Sequence, residues 1–264
     1  MSNTATVLAF DFGASSGRAI RAVCDGQNLN YEEIHRFENI PIEKDGHLCW
    51  DVETLLKEIH TAIQKAGTFD SLGFDTWGVD FGLLDADGYL LANPVHYRDA
   101  RTNGKPEQAA ACMPAEELYA HTGNQIMAIN TLFQLLALRE QDPELLQKAE
   151  QILFMPDLFA ALLGAEPVCE RSIASTSQML DPRTGQWSRE VLAAYGLNAN
   201  RFAPLVASGT VTGTLANGAK IIAVAGHDTQ CASAAMPCAE EDAEHTAFLS
   251  CGTWSLLGTE LGTP

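Results

Sequence analysis

Basic residues are scarce in this chain: 16 Lys and Arg stand against 34 Asp and Glu in 264 residues, a formal net charge of −18. Such a surface repels nucleic acid and anionic membranes, so neither is an expected partner. A phosphate ligand is repelled too, unless backbone amides and a divalent cation offset the field locally. Long apolar runs are also missing; none approaches the ~20 residues of a membrane span, and the run from Val7 is broken at Asp11. Met1-Ser-Asn-Thr-Ala5 lacks the basic region of a secretory signal, so the expected compartment is cytoplasmic. The seven cysteines form no CxxC pair, and their odd number favours reduced thiols over a disulfide frame. Cys231 and Cys238 have no histidine at zinc-finger spacing. Neither G-x-x-x-x-G-K-[ST] nor G-x-G-x-x-G occurs, which disfavours a P-loop and a Rossmann dinucleotide site.

What is present begins with the first strand and its turn, Val7 to Arg18. A hydrophobic strand runs into Asp11, then a turn of small residues follows. Gly13 and Gly17 permit close backbone approach, while Ser15 and Ser16 offer hydroxyls and amides to an anion. Arg18–Val23 reads as a second strand, so the turn is the tip of a hairpin. A structural turn and a metal–phosphate grip both fit these residues. Gly13-Ala-Ser-Ser-Gly17 also matches the G-x-S-x-G nucleophile elbow, but that motif needs a helix after the turn, and Ile20 and Val23 favour a strand.

Strands are expected at Thr6–Asp11, Arg18–Val23 and Leu29–Phe37. A helix should follow, capped by Asp51, with Val52, Leu55, Leu56, Ile59, Ala62, Ile63 and Ala66 on one face and Gly67 at its end. Ser71–Thr76 reads as a buried strand. Phe81–Leu84 and Tyr89–Leu91 read as a hairpin turning at Asp85–Gly88. From Pro106 to Tyr195 the pattern is mostly helical, including Thr131–Glu140 and Pro156–Gly164. Strand signals return at Ile221–Ala225 and Thr246–Ser250, and the acidic stretch Cys238–His245 is the candidate linker. Three antiparallel strands, a helix and a further strand open a ribonuclease-H-like α/β unit, the half-module of the actin/hexokinase ATPases.

Three more constellations carry possible chemistry. In Phe74–Phe81, Asp75 and Asp80 flank Trp77 and Gly78; this is either a tight turn with a core indole or a sugar site, the ring covering C–H faces and the carboxylates accepting from hydroxyls. In Ala225–Gln230, Asp228 or Thr229 either caps the next helix or presents Asp228 as a general base beside His227. Leu249–Ser255 repeats the layout of the first motif: strand, small-residue turn, strand.

DFGASSGR, FDTWGVDF, HYRDARTNG, NTLFQLLAL, FMPDLF, SIASTSQ, GHDT and SCGTWSL occur together and in this order. As a set they resemble the FGGY carbohydrate kinases. DTWGVDF and YRDARTNG are similar to the branch of that family that acts on L-rhamnulose. The resemblance implies an actin-like kinase that phosphorylates this ketose at its carbon-1 hydroxyl with ATP and Mg²⁺. It implies phosphate contacts at Ala14, Ser15, Ser16, Gly17 and Arg18, a metal contact at Asp11, sugar contacts at Gly78, His227, Asp228 and Thr229, proton acceptance by Asp228, and an ATP contact at Thr253. Gln230 and Cys251 depart from the small residues expected beside these motifs. Family chains continue past Pro264. The expected division is therefore a sugar-binding domain at 1–240 and the beginning of a nucleotide-binding domain at 241–264, with little turnover from this chain alone and self-association through an incomplete sheet near Phe248–Ser250. A non-catalytic sugar-binding remnant and a kinase for another ketose, such as L-fuculose or a xylulose, remain alternatives.

Overall fold

A computed structural model describes residues 4–252 and 255–261. Its central sheet is built from β1 (Ala5–Phe12), β2 (Ser16–Cys24), β3 (Leu29–Glu38), β4 (Ser71–Thr76), β5 (Thr210–Thr214) and β6 (Lys220–Ala223), in the spatial order β5-β6-β4-β1-β2-β3. The pairs β1–β2 and β2–β3 are antiparallel, β1–β4 and β4–β6 parallel, and β6–β5 antiparallel. This mixed order is that of the ribonuclease-H-like unit in the actin/hexokinase fold.

The sequence supplies the reasons. Helix α1 (Val52–Ala66) crosses from β3 to β4, with Asp51 accepting from the Thr54 amide and Gly67 closing it at φ +65°. It buries Val52, Leu55, Ile59 and Ala62, the apolar stripe at helical spacing. Phe10, Phe12 and Phe74 share the sheet face on which Phe159 of helix α2 (Met155–Leu162) stacks, 4.8 Å from Phe12. Gly17 has a packing reason of its own: a Cβ there would lie 2.3 Å from the Phe37 ring.

Tyr89–Leu91 is too short to form a strand, but the turn at Asp85–Gly88 is present: the Asp85 amide donates to the Tyr89 carbonyl at 3.0 Å, the Leu91 amide donates to the Leu83 carbonyl at 2.9 Å, and Leu90 bridges Leu84. The main partner of Phe81–Leu84, which the sequence did not indicate, is the antiparallel strand Gln151–Phe154. A four-residue apolar strand gains more from a partner buried on the core side than from an exposed return arm, and Tyr89 stays exposed. The acidic stretch is a 3₁₀ helix, Glu240–His245, followed by the hairpin Ala247–Cys251 and Ser255–Thr259. No helix among the described residues is long and apolar enough to cross a membrane.

Candidate functional site

The parallel strands β1 and β4 end side by side, and Asp11 faces Asp75 in register. One step further along β4, the Thr76 amide donates to the Gly226 carbonyl at 2.9 Å, and Thr76 bridges His227. This brings the first, second and third motifs to one end of the sheet, where open α/β sheets present ligands. A cavity of about 410 Å³ opens there. Gly78, His227, Asp228 and Thr229 line it, with Ala14 from the first turn, Trp77, Tyr97, Asn124, Gln125 and Thr176. Ser250, Gly252 and Leu256 of the last hairpin reach its wall.

The His227–Thr229 segment opens the helix Asp228–Ala234, whose N-cap is His227, so neither Asp228 nor Thr229 caps it. The Asp228 Oδ1 accepts from the Thr229 amide at 2.6 Å and from its hydroxyl at 3.3 Å. Oδ2 accepts from no protein group among the described residues, and the side chain is 45% exposed, so a carboxylate oxygen is available to a ligand. Burial holds the His227 imidazole below its ordinary range despite Asp228 beside it, which keeps it neutral at pH 7. Its Nε2 lies 3.3 Å from Asp228 Oδ1. Gly78 leaves no room on this wall: a Cβ would stand 3.1 Å from Thr176 Cγ2 and 3.3 Å from His227 Nε2.

Val79, next to Gly78, has φ +67°, a conformation that β-branched residues avoid. Three bonds hold it there. Its amide donates to Thr176 Oγ1 at 3.0 Å, and its carbonyl accepts from Thr131 Oγ1 at 2.7 Å and, more weakly, from Gln134 Nε2 at 3.4 Å. Asp80 is corrected from a sugar acceptor to a buried knot. It is 1% exposed and takes four donors: the Trp50 indole at 2.6 Å, the Trp77 indole at 3.0 Å, the Tyr97 amide at 3.1 Å and Gln134 Nε2 at 2.8 Å. Burial pushes its carboxyl up to about 6 against those donors. Trp77 is correspondingly a core ring, 3.9 Å from Trp50 and 6% exposed, although it also contributes to the cavity lining.

The first turn stands beside the cavity. Ala14 lines it, whereas Asp11, Ser15, Ser16, Gly17 and Arg18 do not. The Gly13 amide is spent on Ser16 O at 2.9 Å, but the Ala14 and Ser15 amides donate to no protein group among the described residues. Asp11 Oδ2 takes both Arg18 Nε at 2.8 Å and Nη2 at 2.5 Å, which leaves Oδ1 open. Among the described residues no group of three or more His, Cys, Asp or Glu side chains is placed to hold a metal. One open carboxylate beside unpaired amides instead suits a cation that keeps its waters and shares a phosphate, the habit of Mg²⁺. Asp75 lies between Asp11 and Asp228; burial first, then those two charges, push it up to about 8. Thr253 lies outside the described residues.

Sequence reading missed two contributors. The amide-bearing side chains Asn124 and Gln125 line the cavity from a loop with no motif of its own. Glu170 is 1% exposed and accepts from the Gly226 amide at 3.1 Å, directly behind His227 and Asp228. The helix-cap pattern Glu170-Arg-Ser-Ile173 carried only a local signal, and nothing in it points 56 residues ahead.

Known proteins agree with this architecture. A carbohydrate kinase from Novosphingobium aromaticivorans superposes with a TM-score of 0.84 at 23% identity, over 99% of this chain and 57% of that one. A ligand-bound xylulose kinase from Lactobacillus acidophilus gives 0.73 at 16% identity, over 83% and 47%. In sequence, the chain is 41% identical to a rhamnulokinase of Bacteroides thetaiotaomicron and 39% identical to one of Halalkalibacterium halodurans, over 97% of its own length in each case. It spans 55% and 56% of those two relatives. Residues 6–234 match the N-terminal domain of the FGGY family of carbohydrate kinases, the domain that contains the sheet, the Gly78 wall and the GHDT segment, and the chain belongs to that family.

Proposed function

We propose that this chain forms the sugar-binding and proton-accepting half of an ATP-dependent kinase that phosphorylates L-rhamnulose at its carbon-1 hydroxyl. One observation carries the reading: Asp228, with a carboxylate oxygen that accepts from no group among the described residues, and Ala14 of the first turn line the same 410 Å³ cavity, so a hydroxyl bound there would have a base on one side and a phosphate grip on the other. The rhamnulokinase relatives supply the choice of ketose.

Phosphoryl transfer demands little covalent chemistry from the protein; positioning and charge stabilisation dominate. Neutral His227, the Asn124 side-chain oxygen and the Gln125 amide would orient the sugar hydroxyls, with Trp77 as the apolar part of the wall. Asp228 would take the hydroxyl proton, a contribution typically worth ~10²–10⁴-fold. Asp11 Oδ1, the Ala14 and Ser15 amides and Arg18 would hold the metal–phosphate end of the nucleotide, which supplies the phosphoryl group and neutralises its charge. The cytoplasmic setting expected from sequence belongs to this reading.

The test is calorimetric titration of L-rhamnulose, L-fuculose and D-xylulose into the chain, with an ADP-release assay alongside. L-rhamnulose should bind most tightly, and Asp228→Asn should leave that affinity within a few-fold while lowering any measurable turnover at least ~10²-fold. Preference for another ketose overturns the substrate. Sugar binding with turnover indifferent to Asp228→Asn overturns the base.

A further inference from the structure

A second cavity, of about 450 Å³, lies on the other side of Phe81–Leu84 from the sugar cleft. Its floor is apolar, with Phe81, Leu83, Leu138 and Leu145, and Lys44, Asp45 and Asp142 stand exposed at its mouth. Arg101 is the charge on its inner wall. This arginine makes no ion pair within 4.0 Å among the described residues; its Nη2 donates at 2.7 Å to the neutral Gln134 amide, and its buried Nε has no partner. Asp99, two residues away, is committed elsewhere: Oδ2 accepts from the Leu48 amide, and Oδ1 accepts from the Arg101 amide and meets His47 Nδ1. A guanidinium taken out of water, with the charges of Asp80 and Asp99 reaching it only from beyond 4.0 Å and its Nε unmatched, is an incomplete arrangement. A ligand anion with an apolar body completes it, since such cavities bind small molecules through an apolar lining and a few placed polar groups.

We propose that this cavity is a binding site for a small organic anion, a carboxylate or phosphate monoester on an apolar body, and that its occupation weakens sugar binding in the neighbouring cleft. The coupling runs through one side chain. Gln134 accepts from Arg101 with Oε1, while its Nε2 donates to the Ile129 carbonyl at 2.8 Å, to Asp80 at 2.8 Å and to the Val79 carbonyl at 3.4 Å. Val79 and Ile129 both line the sugar cavity, and Val79 is strained. An anion that draws the guanidinium toward itself loosens Gln134, which holds the Ile129 carbonyl and gives the Val79 carbonyl a weaker second bond beside that of Thr131 Oγ1. Burial already holds the Arg101 guanidinium below its ordinary range, so an anion gains a poorly solvated charge. The site stands independently of the sugar reading; the coupling rests on it.

Benzoate and phenyl phosphate are the probes, titrated by calorimetry into the intact chain, with benzyl alcohol as the uncharged control. The ¹⁵N signal of Arg101 Nε–H is followed in parallel. At least one anion should bind and shift that signal, while benzyl alcohol binds at least about tenfold more weakly. Ala92→Trp, at an exposed position on the cavity wall, should block binding without touching Arg101. Arg101→Met should do the same where it folds. Anion-saturated protein should bind L-rhamnulose about 5- to 20-fold more weakly, with the reciprocal loss for the anion. Failure of both anions to bind, or equal binding to the Ala92→Trp chain, overturns the site. Unchanged L-rhamnulose affinity at saturation overturns the coupling. If L-rhamnulose does not bind at all, the sugar reading falls, and the site is decided by the anion titrations alone.

Discussion

Glu170 is the residue on which the Gly226–Asp228 segment leans, and its replacement has a calculable effect. Its Oε2 accepts from the amides of Ser172 (2.9 Å), Ile173 (3.2 Å) and Gly226 (3.1 Å) and from the Ser172 hydroxyl (2.6 Å); Oε1 accepts from Ser208 Oγ at 2.7 Å. In Glu170→Gln, the amide oxygen can keep the Oε2 position while the NH₂ turns toward Ser208, whose hydroxyl rotates to accept. The donors on Oε2 keep an acceptor, but every bond becomes neutral and the second N–H of the new amide has no assigned partner. Hydrogen bonds to charged groups contribute ~1.5–3 kcal/mol against ~1 for neutral ones, so a loss of about 1–2 kcal/mol is expected. Glu170→Ala removes the N-cap on the Ser172 and Ile173 amides, about 0.5–2 kcal/mol, and leaves the Gly226 amide unpaired at about 1–3 kcal/mol before any water enters. The total of about 1.5–5 kcal/mol is a large share of a stability of ~5–15 kcal/mol. Urea unfolding followed by tryptophan fluorescence measures both, since a changed midpoint at constant m reports stability alone. A Glu170→Gln chain within ~0.5 kcal/mol of wild type, together with a Glu170→Ala chain that loses less than ~1 kcal/mol, would refute the reasoning.

The remaining expectations are simpler to test. Asp75, pushed up to about 8, binds its proton more tightly folded than unfolded, so the stability it contributes is present at low pH and lost as pH rises from about 4 toward 8. Asp75→Asn should therefore match wild type only near pH 4 and below, and gain on it as pH rises, by at least ~1 kcal/mol between pH 5 and pH 8; pH-independent wild-type–variant differences in urea midpoints would contradict this. Gly17→Ala places a Cβ 2.3 Å from the Phe37 ring and should lower stability by about 1–3 kcal/mol in thermal unfolding, with no gain from the helix-friendlier residue. The hairpin Ala247–Cys251 and Ser255–Thr259 exposes Leu249 and Leu257 on a two-stranded sheet, so sedimentation should show concentration-dependent self-association that Leu257→Ser reduces; a strict monomer counts against it.

Much of the fold was legible because its signals are local. The β1 and β2 strands, the Asp51 cap, the α1 stripe and Ser71–Thr76 each announce themselves within a few residues, and the structure places them within one or two positions of expectation. The site was legible where glycine or a strand end marked it, as at Gly78 and GHDT. Illegible were the features that depend on a distant partner. Phe81–Leu84 pairs with Gln151–Phe154 as well as with its own return arm, and Asp80 gathered donors from Trp50, Tyr97 and Gln134, which no pattern in FDTWGVDF foretells. For Asp75 the sequence left a structural turn and a sugar acceptor open; its neighbours Asp11 and Asp228 come from strand register and a later crossover, visible only once the sheet is assembled.

The strained peptide at Val79 also sets an order in time. Its three hydrogen bonds come from Thr131, Gln134 and Thr176, up to 97 residues further along the chain. A chain made from its N-terminus has synthesised this loop long before it has made the groups that lock it, and at ~5–20 residues per second that interval lasts about 5–20 s. During that interval nothing offsets the unfavourable φ, so the loop rests in ordinary extended geometry and the wall of the cleft is not yet shaped. The Gly78–Val79 wall of the cavity thus exists as sequence well before it can exist as structure.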